Sequence, residues 1–334
     1  MKIAIIGGGL AGLGVLWPLL QSPHAQVSLF DARGIGGGAS GISTGLLHPF
    51  PGSRALRSWQ AEEGMLATKE LLQVVENTIG HPVVKESGVL RLAITDAQKK
   101  DFRHRCENDP DTIWWDEAKV ATFLPKATIA PALWIPTGST IYTHLYLKGL
   151  WQACQEKGAK LELQNVPSLQ ELEEFDAIIL ATGAETLHFK ECSHLPIKPT
   201  KGQTLVCKWP EPLPVSLVSQ GHLTPTSDPQ LCQIGSTYER IFTSVEPDPK
   251  IALTLLEKAA QFYPPARDFE VVEIRAGVRI ARAIGYRPVV EKISPKAWVF
   301  TGLGSRGMLY HAWLGKELAR AILEGRDSLE LKEL

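Results

Sequence analysis

The sequence predicts an α/β protein: a parallel sheet flanked by helices, interleaved with a second, α+β domain built on an antiparallel sheet. Three observations carry this. An apolar, β-branched run opens the chain and leads into a G-x-G-x-x-G loop. A second glycine-rich loop, again between a strand and a helix, lies near the C-terminus. Between the two loops are stretches that alternate apolar and polar residues, the pattern of a sheet with one covered face.

The opening run KIAII, residues 2–6, suits a strand buried on both faces of a parallel sheet. Gly7, Gly9 and Gly12 follow. The first permits a tight turn, the second lets the backbone approach a pyrophosphate, and the third lets helix and strand pack closely. The helix that Leu10 and Ala11 open offers free N–H groups and a positive dipole end to an anion. Pro18 falls inside that helix, which predicts a short or bent one. The next strand, QVSLFDA, ends in Asp31, about 20 residues beyond the loop, where a carboxylate accepts hydrogen bonds from the adenosine ribose. Ala32 and Arg33 flank it and are counted with the same site. The motif in this setting predicts a dinucleotide site, and NAD and FAD both use it. Residues 33–50, RGIGGGASGISTGLLHPF, separate them: a NAD enzyme would start another crossover helix here, whereas this run suits an extended segment lying against a longer cofactor.

Further along, SWQAEEGMLATKELLQVVENTIG predicts an amphipathic helix and ESGVLRLAI a strand. The run from Thr140 to Val166 predicts a helix ended by Gly158, then a strand over AKLELQNV. FDAIILATG predicts a buried strand whose end, Ala181-Thr182-Gly183, is small enough for close backbone approach. Strands 297–301 and the loop Gly302–Gly307 then open the last helix. On this reading residues 1–50, 140–195 and 273–334 form the cofactor domain, and 51–139 with 196–272 form a substrate domain inserted in two pieces.

At 334 residues the chain can bury one large core or two linked ones. A formal net charge of −1 gives no global field for nucleic acid or an acidic membrane, although a local basic patch is compatible with it. The five cysteines are scattered and odd in number, which argues against metal or disulfide frameworks and for reduced thiols in the cytoplasm. No window is long and apolar enough to span a bilayer.

The segment GASGISTGLLHP resembles the region after the second strand in the D-amino-acid oxidase and glycine oxidase superfamily of FAD-dependent oxidoreductases. More closely, it resembles the C-terminal flavin domain of the bifunctional enzymes that mature 5-methylaminomethyl-2-thiouridine in tRNA. The resemblance implies a Rossmann-like FAD-binding domain with FAD as cofactor. It implies that Ala39, Ser40, Ser43 and Thr44 contact the pyrophosphate and flavin, and that Val166 reads the adenine edge through its backbone. Thr182 and Gly183 would pass close to the cofactor. RAGVRI resembles the strand whose arginine pairs with a substrate carboxylate, which points to Arg279; a planar guanidinium matches a carboxylate and stays charged when buried. The family's Asp-Pro-Gly turn after this strand is replaced here by ARAIGYRPVVE. In the second loop, Leu303, Gly304, Ser305, Arg306, Gly307 and Met308 would meet the flavin, with amides from Gly304 to Met308 pointing at N1 and C2=O, where reduced flavin is negative. Arg306 would either contact substrate or offset flavin charge. His48 lies in a cofactor-facing segment and would touch flavin or substrate; His144 and His311 read as core or surface histidines.

The expected activity is oxidation of a C–N bond beside a carboxylate, in an amino acid or N-substituted glycine, by hydride transfer to flavin N5, with no obligatory general base. The electron acceptor stays open. Two further readings remain: removal of a carboxymethyl group from a tRNA wobble uridine, whose scissile unit is chemically a glycine but which the overall charge does not support, and a non-catalytic flavin-binding protein.

Overall fold

The structure, a computed structural model, describes residues 1–331 of the chain. Lys2–Ile6 forms an inner strand of a six-stranded sheet ordered 289–292, 297–301, 177–180, 2–6, 26–30, 160–162. All neighbours are parallel except the edge hairpin 289–292/297–301. Ile3 and Ile5 face one core and Ala4 and Ile6 the other, which is why the run is apolar throughout. The strand predicted over AKLELQNV is shorter than expected, Lys160–Glu162.

Helices Leu10–Leu19, Ala61–Ile79, Thr143–Glu156 and Gly307–Leu323 pack on the Ile3/Ile5 face. The first and last touch backbone to backbone: a Cβ on Gly14 would lie 2.4 Å from the His311 carbonyl oxygen. Pro18 sits in the last turn of the ten-residue first helix. It cannot donate to the carbonyl of Gly14, and that carbonyl is the one packed against Gly315.

The second sheet has eight strands, ordered 271–282, 197–208, 231–235, 222–225, 216–218, 89–92, 132–135, 113–115. It is mainly antiparallel. One pair, Ser216–Val218 with Val89–Leu92, is parallel, and it is the seam where strands from the two predicted insertions join. Val271–Arg282 pairs along its length with Ile197–Lys208 at the edge of this sheet. A division at residue 273 therefore falls within a strand of the eight-stranded sheet.

The segment after Asp31 is not extended as expected. It folds into successive turns, with Gly37 N–H donating to Gly34 (3.1 Å), Gly41 to Gly38 (3.2 Å) and Ser43 to Ser40 (3.2 Å). The glycines make this possible: a Cβ on Gly41 would sit 2.2 Å from the Gly36 oxygen.

Candidate active site

Both glycine-rich loops leave the carboxyl ends of parallel strands, where α/β sheets bind ligands, and both line one cavity of about 310 Å³. In the first loop Gly7 has φ +113°, and a Cβ there would lie 2.3 Å from the Ala181 oxygen, so the Ala181-Thr182-Gly183 corner is held against the loop. Asp31 organises the turn from below: its Oδ2 accepts the Gly8 amide and its Oδ1 the Arg33 amide, both at 2.7 Å. Ser40 Oγ accepts the Leu10 amide at 3.0 Å and so caps the first helix. The amides of Gly9, Ala11 and Gly12 meet no protein acceptor among the described residues.

In the second loop the expectation of five ligand-facing amides needs correction. The Gly304 amide donates to Ile280 (2.8 Å) and the Arg306 amide to Leu303 (2.9 Å). The first bond pins the loop to the neighbouring strand Val271–Arg282, and the second closes a turn within the loop. Ser305, Gly307 and Met308 keep amides without a protein acceptor among the described residues.

Of the residues singled out in the sequence, Gly9, Leu10, Ala11, Ala39, Ser40, Ser43 and Thr44 line the cavity on one side. Leu303 to Met308 line it on the other, with His48, Gly183 and Arg279 between. Gly7, Gly12, Asp31 and Thr182 stand behind this wall. Ala32 and Arg33 are exposed and outside it. Val166 is 4% exposed and packs in the core with Phe30 and Phe175, so only its main chain is available to a ligand.

The profile of the DAO family, described as FAD dependent oxidoreductase, matches residues 2–321. The chain belongs to this family. It is similar to the bifunctional protein ThiO/ThiG of a Nostoc species, 24% identical over 308 residues covering 84% of this chain and 46% of the relative. It is equally similar to the bifunctional tRNA 5-methylaminomethyl-2-thiouridine biosynthesis protein MnmC of a Caulobacter species, 25% identical over 348 residues covering 96% and 54%. The chain thus spans about half the length of these curated relatives. Among solved structures, glycine oxidase from Geobacillus kaustophilus superposes with a TM-score of 0.84 over 98% of this chain and 96% of that one, at 21% identity.

The residues of this DAO-family protein fit FAD. Two sets of free amides stand at helix N-termini along one cavity, as a cofactor anionic at two places requires. The side chains of Thr301 and Arg306 line the same cavity with Oγ1 and Nε buried and unpartnered. Each Asp31 oxygen keeps a lone pair beyond its amide bond.

Among the described residues, no aspartate or glutamate lines the cavity. Arg279 projects from the eight-stranded sheet, half-buried, with one weak bond to the Thr237 carbonyl (3.4 Å), its centre 6.0 Å from the Tyr238 ring, and no acidic partner among the described residues. Arg306 stacks on Tyr286 at 4.2 Å and also has no acidic partner among the described residues. Burial lowers the pKa of both from the usual arginine value.

Two ionisable residues lining the cavity were missed in the sequence. Arg91, 3% exposed, donates to the carbonyls of Phe50 and Gly52 and lies 4.9 Å from the Phe102 ring; burial pushes it down to about 10. Its signal was a charge at an inward position of VLRL. His222, a lone histidine in a short strand, carried none. Burial, then the Arg279 charge, lowers its pKa to about 4. Burial, then Arg91 and His222, lowers His48 to about 3. Both imidazoles are neutral at pH 7. Tyr238 and Tyr286, 63% and 75% exposed, stand at the arginines of the cavity mouth.

Proposed function

We propose that the protein oxidises the C–N bond of an amino acid or N-substituted glycine. The observation that carries this is Arg279: a guanidinium that has no acidic partner and stands on the wall of a cavity with no carboxylate, among the described residues. FAD, when bound, would supply the hydride acceptor at flavin N5. Arg279 would hold the substrate carboxylate through its planar fork. The charges of Arg279 and Arg306 disfavour an ammonium nearby, so the bound amine loses its proton more readily than in water. His48 and His222, held neutral, leave that proton to solvent and act as uncharged polar wall. The amides of Ser305, Gly307 and Met308 would face the flavin end of the cavity. Anaerobic mixing with glycine, sarcosine, proline and D-amino acids tests the reading: bleaching of the flavin band by at least one carboxylate-bearing amine is expected, and bleaching only by plain amines overturns it.

A second reading has its own support. Around the mouth, Arg240 stacks on Tyr238 (5.4 Å), Arg287 on Trp59 (4.7 Å) and Arg306 on Tyr286 (4.2 Å). None of these arginines has an acidic partner among the described residues. Guanidinium groups interleaved with aromatics, of which Tyr238 and Tyr286 are exposed and Trp59 is part-buried, suit a single-stranded nucleic acid, despite the net charge of −1. The N–CH2–COO− unit of a carboxymethylaminomethyl uridine would present the same carboxylate to Arg279. Bleaching by tRNA carrying that group, and not by free amino acids, would select this reading; the reverse result would reject it.

A further inference from the structure

Behind the second loop lies a buried pair that the reaction above does not use. Tyr146, on helix Thr143–Glu156, and His311, on the last helix, are both 0% exposed. Tyr146 Oη lies 2.6 Å from His311 Nε2, and His311 Nδ1 lies 2.9 Å from the Gly307 carbonyl oxygen. A carbonyl can only accept, so Nδ1 carries the proton. Nε2 is then a lone pair, and the Tyr146 hydroxyl donates to it. The direction of every bond in the chain is thereby fixed. Burial agrees: it lowers His311 to about 4 and raises Tyr146, so both are neutral.

The Gly307 carbonyl belongs to the same peptide group as the Met308 N–H. That amide is one of the three in the loop without a protein acceptor, and Met308 lines the cavity. Hydrogen bonds in series polarise one another, and a peptide whose oxygen accepts a bond becomes a better donor at nitrogen. We propose that Tyr146 and His311 form a relay that acts through the Gly307–Met308 peptide to strengthen the Met308 amide as a donor to the flavin. Neither side chain lines the cavity, so both are positioning residues. No proton moves along the chain; it biases charge. A stronger donor beside N1 and C2=O favours the reduced, negative form. The inference rests on the reading that the loop 303–308 meets the flavin.

The structure supplies an internal control. Thr68 Oγ1 donates to the Met308 carbonyl at 2.8 Å, a buried bond to the same turn but to the next peptide group. Thr68→Val should loosen the turn without weakening the Met308 N–H. The experiment compares holoenzymes with Tyr146→Phe, His311→Leu and Thr68→Val by dye-equilibrium reduction and by the Met308 amide proton shift. Tyr146→Phe and His311→Leu should lower the reduced-to-oxidised ratio at fixed poise about threefold, or ~15 mV for a two-electron couple, and move the Met308 amide proton upfield. Thr68→Val should do neither. An unchanged ratio and amide shift in Tyr146→Phe, or equal changes in Thr68→Val, overturns the relay. Where the variants fail to fold, nitrogen NMR of the wild-type protein still decides: His311 must be the neutral Nδ1–H tautomer, and an Nε2–H tautomer refutes the chain. If the protein holds no flavin, the cofactor reading fails, while the Met308 shift and the tautomer still report on the relay.

Discussion

Gly14 and Gly315 meet without side chains between them: a Cβ on Gly315 would stand 2.3 Å from the Gly14 carbonyl oxygen. This contact locks the helix of the first glycine loop to the helix of the second, and so sets the spacing of the two amide clusters across the cavity. Gly14→Ala places a methyl 2.4 Å from the His311 oxygen. Overpacking of this kind costs typically about 1–3 kcal/mol. Denaturant unfolding should show that loss, and cofactor affinity should fall with it because the two clusters separate.

Asp31 has both oxygens engaged by loop amides. Asp31→Ala should therefore weaken FAD binding by disordering the Gly8 and Arg33 corner and, where the carboxylate also holds the ribose as we propose, by removing that acceptor. Charge-assisted hydrogen bonds contribute about 1.5–3 kcal/mol each. Fluorescence titration of the apoprotein with FAD measures the loss; an unchanged dissociation constant would show that the carboxylate serves neither role.

Arg279→Lys should fail as Arg279→Ala does, because an ammonium cannot reproduce the fork. Breaking a buried charge pair costs about 2–5 kcal/mol, read as a fall in the flavin reduction rate per unit substrate. FAD content should stay near that of the wild type, since Arg279 stands on the sheet wall and not on either glycine loop.

His311 carries a pH signature. Its pKa falls from the ordinary 6.5 to about 4 in the folded protein. Between those values the unfolded chain binds the extra proton, so stability is full above pH 6.5 and is lost as pH falls toward 4. The loss from this one group between pH 6.5 and 5 is about 2 kcal/mol. Unfolding curves across that range should be flatter for His311→Leu than for the wild type; equal slopes would show that the imidazole is protonated in the native state.

Much of the fold was legible because its signals are local. KIAII and DAIIL announce strands buried on both faces, and each glycine loop sits between its own strand and helix. The parallel seam between Ser216–Val218 and Val89–Leu92 was not legible, since pairing between distant segments leaves no mark in either one. The turns at residues 34–43 were misread because glycine permits extended and folded backbone alike. The amides of Gly304 and Arg306 were misassigned for two reasons: the acceptor Ile280 becomes visible only when the neighbouring strand is placed, and the Leu303 acceptor depends on the loop turning back on itself. Arg279 could be picked out through a motif. Arg91 and His222 belong to no motif, and which way a side chain points from a strand depends on register.

The strand order also governs how the chain comes to be folded. Ile3 pairs with Ala177, and Ile178 with Ala297, so neighbours in the six-stranded sheet are far apart in sequence. The eight-stranded sheet closes only when Val271–Arg282 reaches Ile197–Lys208. Non-local pairing of this kind slows folding. During synthesis, a chain halted before residue 271 would present the edge of Ile197–Lys208 and the apolar flank of Ala177–Leu180 unpaired, both open to pairing with other chains. Neither sheet can serve as a finished template for the other, and both sheets should be completed late, after strands Val271–Arg282 and Ala297–Thr301 have left the ribosome.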